Sequence, residues 1–214
     1  ARRRIYDRRL FDHALRYGGA GFARTVEMKR QALDRLAEAD EPRLFGNAQN
    51  GLGLALDNQG SQIGGPEGSR LLVEAVEAYR AALRVRTEAD HPVAWAMTQN
   101  NLGNALGDQG ERTGGKDGAR LLAEAVKAYR TALRVRTEID HPVDWAMTQE
   151  NMALVAEALA DNDTCMDTRP HLEAALAHLE IALKVFDPEH MPHNFEKATE
   201  NRTRIAAKLA DLDE

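Results

Sequence analysis

Apolar residues along this chain recur at the spacing of amphipathic helices. Residues 71–83 place apolar side chains on one stripe at the i, i+3, i+4, i+7 spacing that a helix buries on a single face. A second type of helix is predicted after each Asp-His-Pro segment, because proline is tolerated in the first turn of a helix. The pattern therefore predicts pairs of helices, with the first helix of a pair ending near residue 110 and a glycine-rich loop over residues 114–118 before the second.

The predicted helix pairs are copies of one another. Residues 71–101 and 121–151 lie at an offset of 50 residues and differ at only six positions. A fixed period of this size indicates a solenoid, whose units bury their apolar faces by stacking on their neighbours. The frame continues at both ends of the chain in four prolines and four aromatic residues, namely Pro42, Pro92, Pro142, Pro192, Phe45, Trp95, Trp145 and Phe195.

The aromatic residues of this frame fall in the first turn of each predicted first helix, where they are expected to pack between units. Trp145→Ala should cost about 3–5 kcal/mol if that residue is fully buried. The period divides one solenoid domain into a diverged N-terminal unit, three repeats and a capping helix, which span residues 1–40, 41–90, 91–140, 141–190 and 191–214. In the last repeat, residues 161–170 replace the glycine-rich loop.

One segment of the repeat resembles a known family. Residues 101–106, which read Asn-Leu-Gly-Asn-Ala-Leu, are followed by Ala125, Tyr129 and Ala132, and together they resemble the tetratricopeptide signature. The usual tetratricopeptide repeat has about 34 residues, and the longer form is similar to repeats in kinesin light chain and in bacterial signalling proteins. The resemblance implies an all-α, right-handed solenoid of antiparallel helix pairs, whose first helices line a concave groove for partner proteins.

The face of each first helix opposite its buried stripe carries the candidate binding residues, because residues spaced i, i+4, i+7, i+11 share one face. Asparagine both donates and accepts, so a row of asparagines can bind the backbone of an extended peptide. The resemblance adds a basic residue for a terminal carboxylate, a role that Lys197 and Arg204 match only in part. The candidate groove residues are Asn47, Asn58, Met97, Asn101, Asn104, Asp108, Met147, Asn151, Lys197, Asn201 and Arg204. The alternative is a solvated polar face.

Charge and composition narrow the class of function. A net charge of −6 would repel a nucleic-acid backbone. No apolar run approaches the ~20 residues that span a bilayer, and no apolar stretch follows the initial arginines, as it would in a secretory signal. The single cysteine, Cys165, agrees with a reducing compartment. We therefore expect a cytoplasmic protein that binds neither nucleic acid nor membrane.

The remaining polar motifs indicate no chemistry. The histidines lack the spacing of a zinc site, and those at 91 and 141 are expected to cap helices or to lie on the surface. Repeated arginines of the second helices are expected on a solvated or salt-bridged surface, and a basic outer stripe is the alternative: Arg80, Arg84, Arg86, Arg130, Arg134 and Arg136. We expect no enzyme, cofactor or metal site. The leading hypothesis is a scaffold that binds a peptide segment or helix of a partner, and the alternative is a self-association module that forms a homo-oligomer.

Overall fold

The computed structural model describes residues 20–213, except 37 and 39, and in these residues the fold is all-helical. Much of the predicted N-terminal unit, including residues 1–19, lies outside the described residues. Consecutive helices pack on one another, which is consistent with an α-solenoid. The eight helices of the described residues are α1 (Ala20–Leu33), α2 (Pro42–Ile63), α3 (Gly65–Val85), α4 (Pro92–Thr113), α5 (Gly115–Ala132), α6 (Pro142–Ala160), α7 (Arg169–Leu183) and α8 (Pro192–Ala210).

The chain divides into two compact units, with the boundary after Gln109 inside α4. In the first unit, α2 packs against both α1 and α3. In the second unit, α6 packs against α5 and α7, and α7 packs against α8. Each unit has an alanine- and leucine-rich core, because small residues allow helices to approach and leucines fill the space between them. The largest fully buried side chains include Leu56, Leu72 and Tyr79 in the first unit and Leu172, Leu179, Phe186 and Ile205 in the second.

Proline begins the first helix of each pair and the closing helix, as the sequence predicts. Of the two roles predicted for His141, the helix cap is wrong, since its side chain makes no capping hydrogen bond to α6. The turn is instead closed by a threonine and by the aspartate that precedes the histidine. Thr137 Oγ1 donates to Asp140 Oδ2 at 2.7 Å and accepts from the Asp140 N–H at 3.0 Å. Thr87 and Asp90 repeat this arrangement at 2.6 and 3.1 Å.

The links inside the first two complete helix pairs are shorter than the sequence predicts. Only Gly64 separates α2 from α3, and only Gly114 separates α4 from α5. Gly64 and Gly65 have φ of 68° and 59°, a region that side chains disfavour. The predicted glycine-rich loop is therefore wrong, since most of its glycines begin or lie within the second helices. The extra length over a repeat of about 34 residues lies partly in long helices, with 22 residues in α2 and 21 in α3.

Glycines also serve the close approach of helices in both units. A Cβ on Gly60 would lie 2.9 Å from the carbonyl oxygen of Gly68, in the facing helix. In the second unit, a Cβ on Gly118 would lie 2.5 Å from the carbonyl oxygen of Gly110. Neither distance is compatible with an ordinary side chain, so backbone contact requires glycine at these places.

The four recurring aromatic residues are buried to different degrees. Phe45 and Trp95 are each 8% exposed. Trp145 and Phe195 are only partly buried, and both pack against the core of the second unit. The condition of full burial is therefore not met for Trp145, and the full cost predicted for its truncation applies better to Trp95.

Candidate functional site

The first unit uses several of the predicted groove residues for its own hydrogen bonds. Asn101 Nδ2 donates to Asn50 Oδ1 at 3.4 Å, which joins α4 to α2. Asp108 accepts a hydrogen bond from Ser61, and Asn58 donates to a carbonyl of its own helix, at 2.7 Å. Asn47 is exposed, Met97 is 37% exposed, and Asn104 is half-buried. The predicted face thus exists, but part of its polar surface holds the unit together.

A buried polar network that the sequence did not predict lies beside this face. Arg86 is only 5% exposed, although it was expected on the outer surface. Its Nη1 donates to Thr98 Oγ1 at 2.7 Å and to the Ala94 carbonyl at 3.4 Å, and its Nη2 donates to Asn47 Oδ1 at 2.6 Å. Thr98 Oγ1 also lies 3.0 Å from Asn50 Oδ1. The guanidinium therefore joins the end of α3 to α2 and α4.

The arginines expected on a solvated or salt-bridged surface fall into two groups. Arg86 and Arg136 are buried, so the expectation is wrong for both. Arg84 is exposed, and its Nε and Nη2 donate to the Glu38 carboxylate at 3.0 and 2.8 Å, as expected for a surface ion pair. The only feature of the sequence that could have indicated this burial is the position of the two arginines. Both follow the end of a second helix, where the chain turns toward the next repeat.

In the second unit, basic residues of α8 neutralise buried acids of α6. Glu150 and Glu157 are 4% and 6% exposed. Lys197 Nζ lies 3.2 Å from Glu150 Oε1, in an ion pair without hydrogen-bond geometry. Arg204 donates from Nε and Nη2 to the two Glu157 oxygens at 2.9 and 2.5 Å. Lys197 and Arg204, the candidate groove cations, thus already have carboxylate partners within the chain.

The same cluster sets the ionisation of Glu157. Burial raises the pKa of this carboxyl, but hydrogen bonds from Arg204 and Lys208 outweigh burial, and the net pKa lies below the ordinary value. Lys208 Nζ lies 2.9 Å from Glu157 and 2.5 Å from Asp161. Asn201, another candidate groove residue, is 6% exposed and accepts a hydrogen bond from Arg204 at 3.0 Å. Asn201 is therefore part of the interior of this cluster.

A cavity of about 740 Å³ opens beside these ion pairs in the second unit. Its apolar wall includes Leu154 and Ala158 of α6, and its charged wall includes Glu157, Arg204 and Lys208. The volume falls within the range of small-molecule and peptide side-chain pockets. Of the candidate groove residues, the cavity includes Arg204, on the predicted face of α8.

An exposed apolar pair begins the first helix in two successive repeats. Val93 and Met97 are 55% and 37% exposed in α4, and Val143 and Met147 are 43% and 41% exposed in α6. Each pair is spaced i, i+4 and so lies on one face of its helix. The corresponding positions of α2 and α8 are polar or charged. Met97 and Met147 were predicted for the groove, whereas the two valines were not.

Half-buried Asn151 follows Met147 on the same face of α6, so this predicted groove residue lies beside the exposed apolar pair.

The described part of the chain contains no group of three or more histidine, cysteine or acidic side chains suited to a metal ion. Among the described helices, none combines the length and the apolar character that crossing a membrane requires. No protein-family model matches the chain, and no curated protein matches it.

Proposed function

We propose that the chain is a tetratricopeptide-type scaffold, with the right-handed superhelix of that family, that binds a peptide segment or a helix of a partner protein along its first helices. The repeated exposed apolar pair carries the proposal. Single exposed apolar residues are common on proteins, but here a valine and a methionine share one face in both α4 and α6. Such a strip can receive apolar side chains of a bound segment, and methionine adapts its shape to different partners.

The second unit adds polar contacts along the same helix. Met147 lies near the start of α6 and Ala158, at the edge of the cavity, lies near its end. Eleven residues of helix cover about 16 Å, which about five residues of extended peptide would span. A segment bound along α6 would therefore meet an apolar strip at one end and the charged cavity at the other.

The experiment compares Met97→Gln/Met147→Gln with the wild-type chain as baits in affinity capture from a lysate. Glutamine has a similar length and is a good helix former, so the substitutions remove apolar surface without disturbing α4 or α6. Val73→Gln is the matched control, because Val73 is 41% exposed on α3, a second helix. Asparagine variants are less suitable, since Asn101 also supports the packing of α2 and α4.

We expect the wild type and Val73→Gln to retain the same partner, and the double variant to bind it about tenfold more weakly or worse, because two apolar contacts are lost. Calorimetry with the identified partner measures this difference. Equal retention by all three baits would contradict the assignment of this face. If only further copies of the chain are retained, and light scattering shows a concentration-dependent mass that the double variant abolishes, the strip serves self-association instead.

A further inference from the structure

Arg86 and Arg136 occupy the same position in successive repeats, but their charges are compensated differently. Arg136 Nη2 lies 3.6 Å from Asp144 Oδ1 in the second unit. The corresponding residue of the first unit is Ala94, one of only six differences between the two 31-residue segments. Among the residues that the structure describes, no carboxylate pairs with Arg86, whose hydrogen-bond partners are all uncharged.

The burial of Arg86 makes this difference significant. Arg86 as a whole residue is 5% exposed, and a buried charge is costly unless an opposite charge or enough hydrogen bonds compensate for it. Burial lowers the pKa of both arginines, but Asp144 counteracts the effect only at Arg136. The first unit thus buries a cation without the anion that its copy carries.

A cavity of about 290 Å³ lies where that anion is missing. Its wall contains two arginines, Arg43 and Arg86, together with Leu44, Asn47, His91 and Ala94. No aspartate or glutamate is part of this wall. Space, positive charge and the absence of the equivalent carboxylate therefore coincide at one place in the first unit, which we call the Arg86 cavity.

We propose that the Arg86 cavity binds a carboxylate, supplied by an aspartate or glutamate side chain of the segment that the scaffold holds. The sister repeat indicates a carboxylate, because Asp144 places one against the equivalent arginine. The planar guanidinium also matches the geometry of a carboxylate. The source of the carboxylate rests on the proposed function, whereas the preference for a carboxylate rests on the comparison of the two repeats.

The test uses the full chain and sodium acetate as the probe, with sodium chloride at equal ionic strength as the reference. In a Trp145→Phe background, the fluorescence of Trp95, which is adjacent to Ala94, reports on the surroundings of the cavity. The NMR signal of the Arg86 Nε–H reports on the guanidinium itself. We expect a saturable response to acetate with a dissociation constant in the millimolar range, which corresponds to a binding free energy of about −4 kcal/mol or weaker. We expect no such response to chloride.

Two variants exchange the residues that the two repeats carry at the equivalent positions 94 and 144. Ala94→Asp supplies the carboxylate within the chain, so it should weaken the acetate response at least tenfold while the chain stays folded. Asp144→Ala removes the carboxylate from the second unit, so it should add a second response, seen through Trp145 in a Trp95→Phe background. Both variants leave the two arginines in place, and Asp144→Ala gives Arg136 the alanine that Arg86 already has at the equivalent position.

The proposal is overturned if acetate gives no saturable response, or if Ala94→Asp binds acetate as tightly as the wild type. Binding of inorganic phosphate without binding of acetate would overturn the assignment to a carboxylate. These results are independent of the capture experiment, because acetate needs no partner protein. A positive acetate titration with a failed capture would therefore leave the anion site standing and reject only the scaffold function.

Discussion

In the first unit, Gly53 of α2 lies so close to Tyr79 of α3 that a Cβ would be 2.7 Å from the ring atom Cε1. In the second unit, Ala153 of α6 and Leu179 of α7 take the corresponding positions, and both are fully buried in one core cluster. The first unit thus pairs a glycine with the large ring of tyrosine, whereas the second unit pairs the methyl group of alanine with the smaller side chain of leucine. The helix crossing therefore constrains the combined volume of the two residues, because a close-packed interior tolerates neither overlap nor a void.

The two units also differ in the link that follows the first helix. Gly64 alone connects α2 to α3, whereas residues 161–168 connect α6 to α7. The longer link is held by the start of α5, where Asn162 Nδ2 donates to the Gly115 carbonyl at 3.1 Å and the Gly115 N–H donates to Asp163 at 2.9 Å. Where the positive-φ glycines are absent, the chain needs more residues to reverse direction, and side-chain hydrogen bonds fix their course.

The largest expected effect distinguishes the units by their tryptophans. Trp95→Ala should destabilise the first unit by about 3–5 kcal/mol, because Trp95 is 8% exposed. Trp145→Ala should cost clearly less in the second unit, where this residue is only partly buried. Urea unfolding followed by circular dichroism measures both. Trp95→Phe and Trp145→Phe are the controls, since phenylalanine holds the same position at 45 and 195. An equal loss in the two alanine variants would contradict the comparison.

A smaller effect tests the helix crossing itself. Gly53→Ala should cost about 1–3 kcal/mol, because the added methyl group overlaps the buried Tyr79 ring, although part of this cost is offset by the better helix propensity of alanine. Adding Tyr79→Leu should recover stability relative to the sum of the two single variants, since the pair then matches Ala153 and Leu179. Trp95 fluorescence during urea unfolding, in a Trp145→Phe background, reports on the first unit.

The reciprocal change completes this test. Ala153→Gly should destabilise the second unit by about 1 kcal/mol through backbone entropy, with a further loss from the space left beside Leu179. Strict additivity of Gly53→Ala and Tyr79→Leu would mean that the two residues are not coupled, and the volume argument would then fail.

The smallest expected effect is a pH response of the second unit. His178 Nδ1 lies 2.7 Å from Gln149 Oε1, and burial, aided by the charge of Arg130, lowers the pKa of His178. The unfolded chain then binds a proton more readily than the folded one, so stability falls as the pH falls through about 6.5. The first unit has Ala78 at the equivalent position.

Urea midpoints between pH 7.5 and 5, read from Trp145 in a Trp95→Phe background, measure this response. His178→Ala should remove it. A further loss below about pH 4.3 should persist in that variant, because the lowered pKa of Glu157 contributes stability only while its carboxylate is charged. If the urea midpoint of the chain that keeps His178 did not change between pH 7.5 and 5, the expected proton linkage would be contradicted.

The candidate site was predictable in its outline and not in its contacts. Helical periodicity correctly placed Met97 and Met147 on exposed faces. It could not show that Asn101 is hydrogen-bonded to Asn50, or that Arg86 is buried against Asn47, because these pairs are 51 and 39 residues apart. Periodicity describes a single helix, whereas both contacts depend on how neighbouring helices align.

The sequence by itself determined the all-helical fold of the described residues, the 50-residue repeat and the starts of the helices that begin with proline, since prolines and apolar stripes act through local geometry. Tertiary structure alone decided which charges are buried. Arg136 acquires Asp144 and Glu157 acquires Arg204, while Arg86 acquires only neutral partners. The physical reason is that the cost of a buried charge depends on the groups that packing brings within a few ångströms, and adjacent sequence does not specify those groups.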